Sequence, residues 1–169
     1  MIYTIKTIEA MKLAYTAHHG QTDKNGVPYI FHPIHVAEQM NTEKTTILAL
    51  LHDVVEDTMV TMSEIGERFG QDIVDVLTLL THEDKVPYLD YINNIKSNPD
   101  ATAVKIADMK HNLERISLLP EDVQMRLKSK YDEAWKILNN NHKELTDGDL
   151  KKKFEDFKKN MEADSFDIF

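Results

Sequence analysis

Ile47, Leu48, Ala49, Leu50 and Leu51 form an unbroken apolar run that leads straight into His52, Asp53, Glu56 and Asp57, with Val54 and Val55 set among them. Such a run belongs inside a fold, and it predicts a buried helix over about residues 43–56. Burying an imidazole and three carboxylates costs several kcal/mol unless they are paired or hold a cation. The fold must therefore bring partners to this segment from elsewhere in the chain.

The rest of the sequence supplies helices for that purpose. Ile8, Met11, Ala14, Tyr15 and His18 share one face of a first helix, about residues 5–19, which Gly20 ends. A polar loop with Gly26 and Pro28 leads to a helix of about 32–40, with Pro33 in its first turn. Thr61-Met62-Ser63-Glu64 reads as a capping box opening a helix to about Phe69. Ile73, Val76, Leu77 and Leu80 make the next stripe, and a more polar helix of about 87–97 follows. Asn98-Pro99-Asp100 starts a helix carrying Val104, Ala107, Asp108, His111 and Asn112. Pro120-Glu121-Asp122 starts another, striped by Val123, Leu127, Tyr131, Trp135 and Leu138. A peripheral helix is expected on Phe154, Phe157 and Met161. No period-two pattern persists, so the expected fold class is all-α, and residues 1–169 are expected to form a single domain.

Composition narrows the function classes. There is no cysteine, which removes disulfides, thiolate metal sites and a cysteine nucleophile, and which is compatible with a reducing cytoplasm. No apolar run approaches the roughly 20 residues that span a bilayer. Lys6, Glu9 and Lys12 are not the start of a signal peptide. The net charge of −9 argues against general nucleic-acid binding. An anionic substrate therefore needs local help, from a metal or from a few placed lysines.

Three groups of residues carry chemistry. His52 and Asp53 can share a cation, and Glu56, one turn on, can orient a water or take its proton. By itself that pair also fits a core histidine beside surface acids at a helix end. His32 and His35 stand at i,i+3, and at most one of them is expected to bind a metal. His32 is favoured because Pro33 holds its backbone off the helical region. Asp108 lies among Ile106, Ala107 and Met109, so it points inward and needs a partner. A cation held by His32, His52, Asp53 and Asp108 would supply one. Two histidines and two aspartates from three helices suit Mn²⁺, Fe²⁺ or Zn²⁺, in the manner of a helical-bundle metal site.

The order His…His-Asp…Asp resembles the HD superfamily of metal-dependent phosphohydrolases. The stretch Gly20-Gln21-Thr22-Asp23-Lys24-Asn25-Gly26-Val27-Pro28-Tyr29-Ile30-Phe31-His32-Pro33 is similar to the loop before the first ligand in the hydrolase domain of RelA/SpoT homologues. Leu50 to Thr58 resembles their LLHDVVEDT block, and Lys105 to Asn112 their KLADRLHN block. The resemblance covers about residues 5–115. It implies an HD-domain helical bundle that removes pyrophosphate from the 3′ position of ppGpp and pppGpp, with Mn²⁺ as the expected ion. It implies His32, His52, Asp53 and Asp108 as ligands and Glu56 and Asp57 as the acidic pair that activates water. Lys24 and Asn112 are implied as substrate contacts.

Two positions depart from the pattern. Asp23 stands where the family has arginine, and Met109 replaces the arginine after Asp108, with Lys110 beside it. The chain has no room for a synthetase domain, so pyrophosphokinase activity is not expected. Beside the alarmone hydrolase reading stand an HD phosphohydrolase for another nucleotide or phosphate ester, which Asp23 favours, and a non-catalytic regulatory module, which the Glu56-Asp57 pair disfavours. The expected partner is a small phosphorylated molecule, not a nucleic acid or a membrane.

Overall fold

A computed structural model describes residues 1–139 of the chain. Its helices are α1 (Ile5–Ala17), α2 (Phe31–Glu38), α3 (Glu43–Leu51), α4 (Val54–Asp57), α5 (Met62–Phe69), α6 (Gln71–Leu80), α7 (Tyr88–Ile95), α8 (Pro99–Arg115) and α9 (Glu121–Asn139), with a 3-10 turn at Ile116–Leu118. Among the described residues the only β feature is an isolated bridge between Thr22 and Pro28. The fold is all-α, as the periodicity predicts. None of the described helices is long and apolar enough to cross a membrane. The helix expected on Phe154, Phe157 and Met161 lies outside the described residues.

The helix starts follow local chemistry. Thr4, Thr42 and Thr61 each accept a hydrogen bond from the backbone three residues on, and each of the three sits in a capping box. Asn98 accepts from the N–H groups of Asp100 and Ala101, with Pro99 at the first helical position. Each cap contributes about 1 kcal/mol by satisfying N–H groups that would otherwise lack partners. Gly70 joins α5 to α6 at φ +98, where a Cβ would meet Asp72 Oδ1 at 3.0 Å. Only glycine takes that corner without strain.

α3 is the axis of the core. Leu48, Leu50 and Leu51 are fully buried, and apolar residues surround the helix on all sides, so neighbours must cover it all round. α1, α2, α6 and α8 provide that cover. Each leucine contributes about 1.5–3 kcal/mol by leaving water.

Three expectations need correction. α1 buries only part of the Ile8–His18 face: Ala14 and His18 are buried and Met11 packs on the core, but Ile8 and Tyr15 are exposed, and Thr7 and Ala10 are buried beside them. Small side chains let α1 lie close on α3, and that proximity outweighs the bulk of the other face. The helix expected over 43–56 is two: α3 stops at Leu51 and α4 begins at Val54. The interruption falls on His52 and Asp53. His32 is not held off the helical region, because α2 begins at Phe31 and contains it. A proline in the first turn costs no hydrogen bond, so the helix forms through it.

Candidate metal centre and substrate cleft

α2, the α3–α4 junction and α8 bring His32, His52, Asp53 and Asp108 together. Nε2 of His32 lies 3.2 Å from Nε2 of His52, 3.4 Å from Asp53 Oδ2 and 3.2 Å from Asp108 Oδ1. His52 Nε2 is 3.1 Å from Asp53 Oδ2 and 3.8 Å from Asp108 Oδ1. One donor atom each from His32, His52 and Asp53 falls within a 4.8 Å cluster. Both histidines and Asp108 are buried.

Each ring is set by its second nitrogen. His52 Nδ1 is 2.7 Å from the Ala49 carbonyl, which only accepts. Nδ1 therefore carries the proton, and Nε2 offers a lone pair to the centre. His32 Nδ1 is 2.7 Å from His111 Nδ1. Burial, with repulsion from His32 and His35, pulls His111 down to about 4, so it is neutral and can accept from His32. Asp53 receives the Tyr29 hydroxyl at 2.5 Å. Burial and the charge of Asp53 push the Tyr29 phenol up, so it stays a donor. Asp108 accepts from Lys105 Nζ at 2.8 Å and from Asn112 Nδ2 at 2.7 Å.

This donor set fits a divalent ion. Ligands about 2.1 Å from a common ion lie about 3.0–3.4 Å apart at octahedral or tetrahedral angles. The centre also attracts positive charge. Burial opposes a charged His52, but Asp53 and Asp108 outweigh it and raise that group to about 10. Burial likewise opposes a charged Asp53, yet His52 and His32 hold it far below the usual carboxylate range. Lys105 and the histidines do the same for Asp108. Two lone pairs and two carboxylates are a strong site for a cation.

The remaining expected residues lie around this centre on two hollows. Lys24 and Asn112 line a cleft of about 350 Å³ together with Tyr29, His32, Arg115 and Tyr131. Glu56 and Asp57 are exposed and line a separate, more open hollow of about 740 Å³ with Gln21, Thr58 and Glu64. Glu56 Oε2 accepts the His82 backbone N–H at 3.1 Å, and Gln21 Nε2 donates to the Asp57 carbonyl at 2.9 Å. Burial and the nearby Asp53 raise the Asp57 carboxyl. His35 is part exposed, stacks on His111 at 4.3 Å and lies outside the cluster.

Sequence reasoning missed several participants. Tyr29 and Lys105 stand three residues before His32 and Asp108, a spacing that could have found both. Arg115 and Tyr131 carry no local signal and join the cleft only through packing. Arg115 forms an ion pair with Asp23. The charge reversal at Asp23 is thus answered within the protein. Met109 is fully buried, with the Tyr88 hydroxyl 3.7 Å from its sulfur.

Residues 10–143 match the family model for the HD domain. The chain is 31% identical over 134 residues to the bifunctional (p)ppGpp synthase/hydrolase SpoT of Escherichia coli (strain K12), covering 70% of this chain and 19% of that protein. It is 34% identical over 134 residues to the guanosine-3′,5′-bis(diphosphate) 3′-pyrophosphohydrolase of Borreliella burgdorferi, covering 70% of this chain and 20% of that protein. The chain thus spans about a fifth of the length of these curated relatives. Among solved structures it is similar to a metazoan ortholog of SpoT, described as hydrolysing ppGpp and playing a role in starvation responses. That likeness has a TM-score of 0.71 at 25% identity, over 89% of this chain and 93% of the other.

Proposed function

The chain belongs to the HD domain family, and from that premise we propose that it is a metal-dependent phosphohydrolase that removes pyrophosphate from the 3′ position of guanosine polyphosphates such as ppGpp. The observation that carries this reading is the convergence of His32, His52, Asp53 and Asp108 from three helices beside a cleft lined by Lys24 and Asn112. The names of its relatives support the substrate.

His32, His52, Asp53 and Asp108 would hold the ion. A divalent ion there lowers the pKa of water and neutralises charge developing on a phosphate oxygen. Asn112 and Lys105 fix the Asp108 carboxylate, Tyr29 fixes that of Asp53, and the Ala49 carbonyl fixes the His52 ring. Glu56 accepts the proton of an attacking water that enters from the hollow it lines with Asp57. The water oxygen bonds to the inner phosphorus as the P–O3′ bond breaks, the 3′ oxygen takes up the proton that Glu56 received, and pyrophosphate leaves. Lys24 offsets phosphate charge in the cleft. No side chain acts as nucleophile. Manganese as the ion and the cytoplasm as the compartment belong to the same proposal, and the carboxylate half of the donor set suits manganese.

The test is a Mn²⁺-dependent assay on ppGpp, pppGpp, NADPH and simple nucleotides. Release of intact pyrophosphate from ppGpp is the expected result. Turnover of another phosphate ester alone would move the assignment to a different HD phosphohydrolase, a reading favoured by Asp23 in the cleft with its hold on Arg115. Silence on every substrate would leave a regulatory module.

A further inference from the structure

Lys105 and Lys130 have no assigned part in the proposed reaction beyond the support Lys105 gives Asp108. Lys105 Nζ bonds Asp108 Oδ2 at 2.8 Å, while the other oxygen of that carboxylate faces His32 Nε2 at 3.2 Å. Its ammonium is therefore one carboxylate away from the metal cluster. It also lies 5.4 Å from the centre of the Tyr91 ring. Lys130 reaches in from α9. Its Nζ sits 3.8 Å over the Tyr88 ring and 5.9 Å from the ring of Tyr131, which lines the cleft with His32.

The Tyr88 and Tyr91 rings are 6.0 Å apart, so the two ammoniums are carried on one aromatic pair. His82 packs on the same pair, 4.7 Å from Tyr91, and its backbone N–H holds Glu56. Glu56, Asp108 and the two lysines thus border one region.

The lysines differ in how their charge is met. Lys105 is neutralised by Asp108. Lys130 makes no ion pair among the described residues, and two tyrosine faces hold it instead. Partial burial and repulsion from Lys105 pull its pKa below the usual lysine value. A part-desolvated ammonium facing a second cation is relieved by an anion with more than one charge. Lysine serves phosphate as a point charge, without the fixed fork of arginine.

We propose that Lys105 and Lys130 seat the terminal phosphate of a pyrophosphoryl group whose inner phosphate lies at the His32-His52-Asp53-Asp108 cluster. This inference rests on the hydrolase reading and deepens it. It gives a physical reason for pyrophosphate to leave whole: the outer phosphate is held while bond breaking is confined to the inner one. A 3′-monophosphate would leave the seat empty.

The full-length protein, with Mn²⁺ in excess in cell and syringe, is titrated calorimetrically with inorganic pyrophosphate and then with orthophosphate. The wild type is expected to bind pyrophosphate about tenfold or more tightly than orthophosphate, the scale of one charge-assisted contact. Lys130→Gln is expected to lose about tenfold in pyrophosphate affinity with orthophosphate unchanged, and Lys130→Arg to recover most of it. In turnover, Lys130→Gln is expected to raise KM for ppGpp and to leave KM for the 3′-monophosphate analogue unmoved. A purely structural stacking role would shift thermal stability without shifting the pyrophosphate preference. Equal pyrophosphate affinity in wild type and Lys130→Gln overturns the seat, even if ppGpp hydrolysis is intact. Lys130-dependent pyrophosphate binding without ppGpp turnover keeps the seat and overturns the hydrolase reading.

Discussion

The α3–α4 junction and α8 both deliver carboxylates to the same centre, but they stabilise them in opposite ways. Asp108 on α8 brings its own support, with Lys105 one turn before it and Asn112 one turn after it, both on its oxygens. Asp53 follows an apolar helix that offers it nothing. Its partners are Tyr29 from the loop before α2, His32 within α2, and His52 beside it. Asp108 is thus supported chiefly along its own helix, whereas Asp53 is supported across several elements. Buried charge can be supported along one helix or across elements, and this site uses each solution once.

The contrast is broken most severely at Asp53. Asp53→Ala is expected to remove metal binding and to lower turnover by about 10³-fold or more, with the metal measured by elemental analysis of protein purified without chelator. Wild-type metal content in that variant would show the junction to be dispensable. Glu56→Ala is the counterpart on the same junction. It is expected to keep the metal and lose about 10²–10⁴-fold in kcat, and unchanged kcat would remove Glu56 from proton transfer.

On α8, Lys105→Met strands a buried carboxylate. It is expected to cost about 3 kcal/mol in urea unfolding of the metal-free protein, and less once Mn²⁺ is added. An equal cost in both states would mean that Asp108 does not reach the ion. The smallest effect is on pH. Without metal, His52 titrates at about 10 in the fold, above its ordinary value near 6.5. The folded state then holds a proton that the unfolded chain has lost. That stability is complete below about pH 6.5 and is lost as pH rises toward about 10. Metal-free protein should therefore melt at lower temperature as pH rises from 7 to 10, and metal-loaded protein should not follow it, because the bound imidazole is already neutral.

Much of this could be read from residues alone. The Thr61 and Asn98 caps, the α6 stripe and the convergence of His32, His52, Asp53 and Asp108 all rest on short-range rules of spacing and burial. The break after Leu51 was hidden because Val54 and Val55 continue the apolar pattern through it. Ile8 and Tyr15 fall outside the buried stripe of α1 because which side packs depends on how closely α3 approaches, a tertiary quantity. Lys24 and Asn112 line one cleft, whereas Glu56 and Asp57 face another hollow, and no spacing rule separates them. Arg115, Lys130 and Tyr131 enter through helix packing far along the chain.

The order in which the candidate ligands occur has a kinetic meaning. His32, His52 and Asp53 come from helices adjacent in sequence, and Asp108 arrives only after α5, α6 and α7 have been made. A chain that has joined α2 to α3 already presents three donors, and the fourth is added by the docking of α8, across a loop whose closure is slow to be repaid. If these four residues hold the ion, its capture during refolding would read out the closing of that long loop, with a weak early phase and a tight late one.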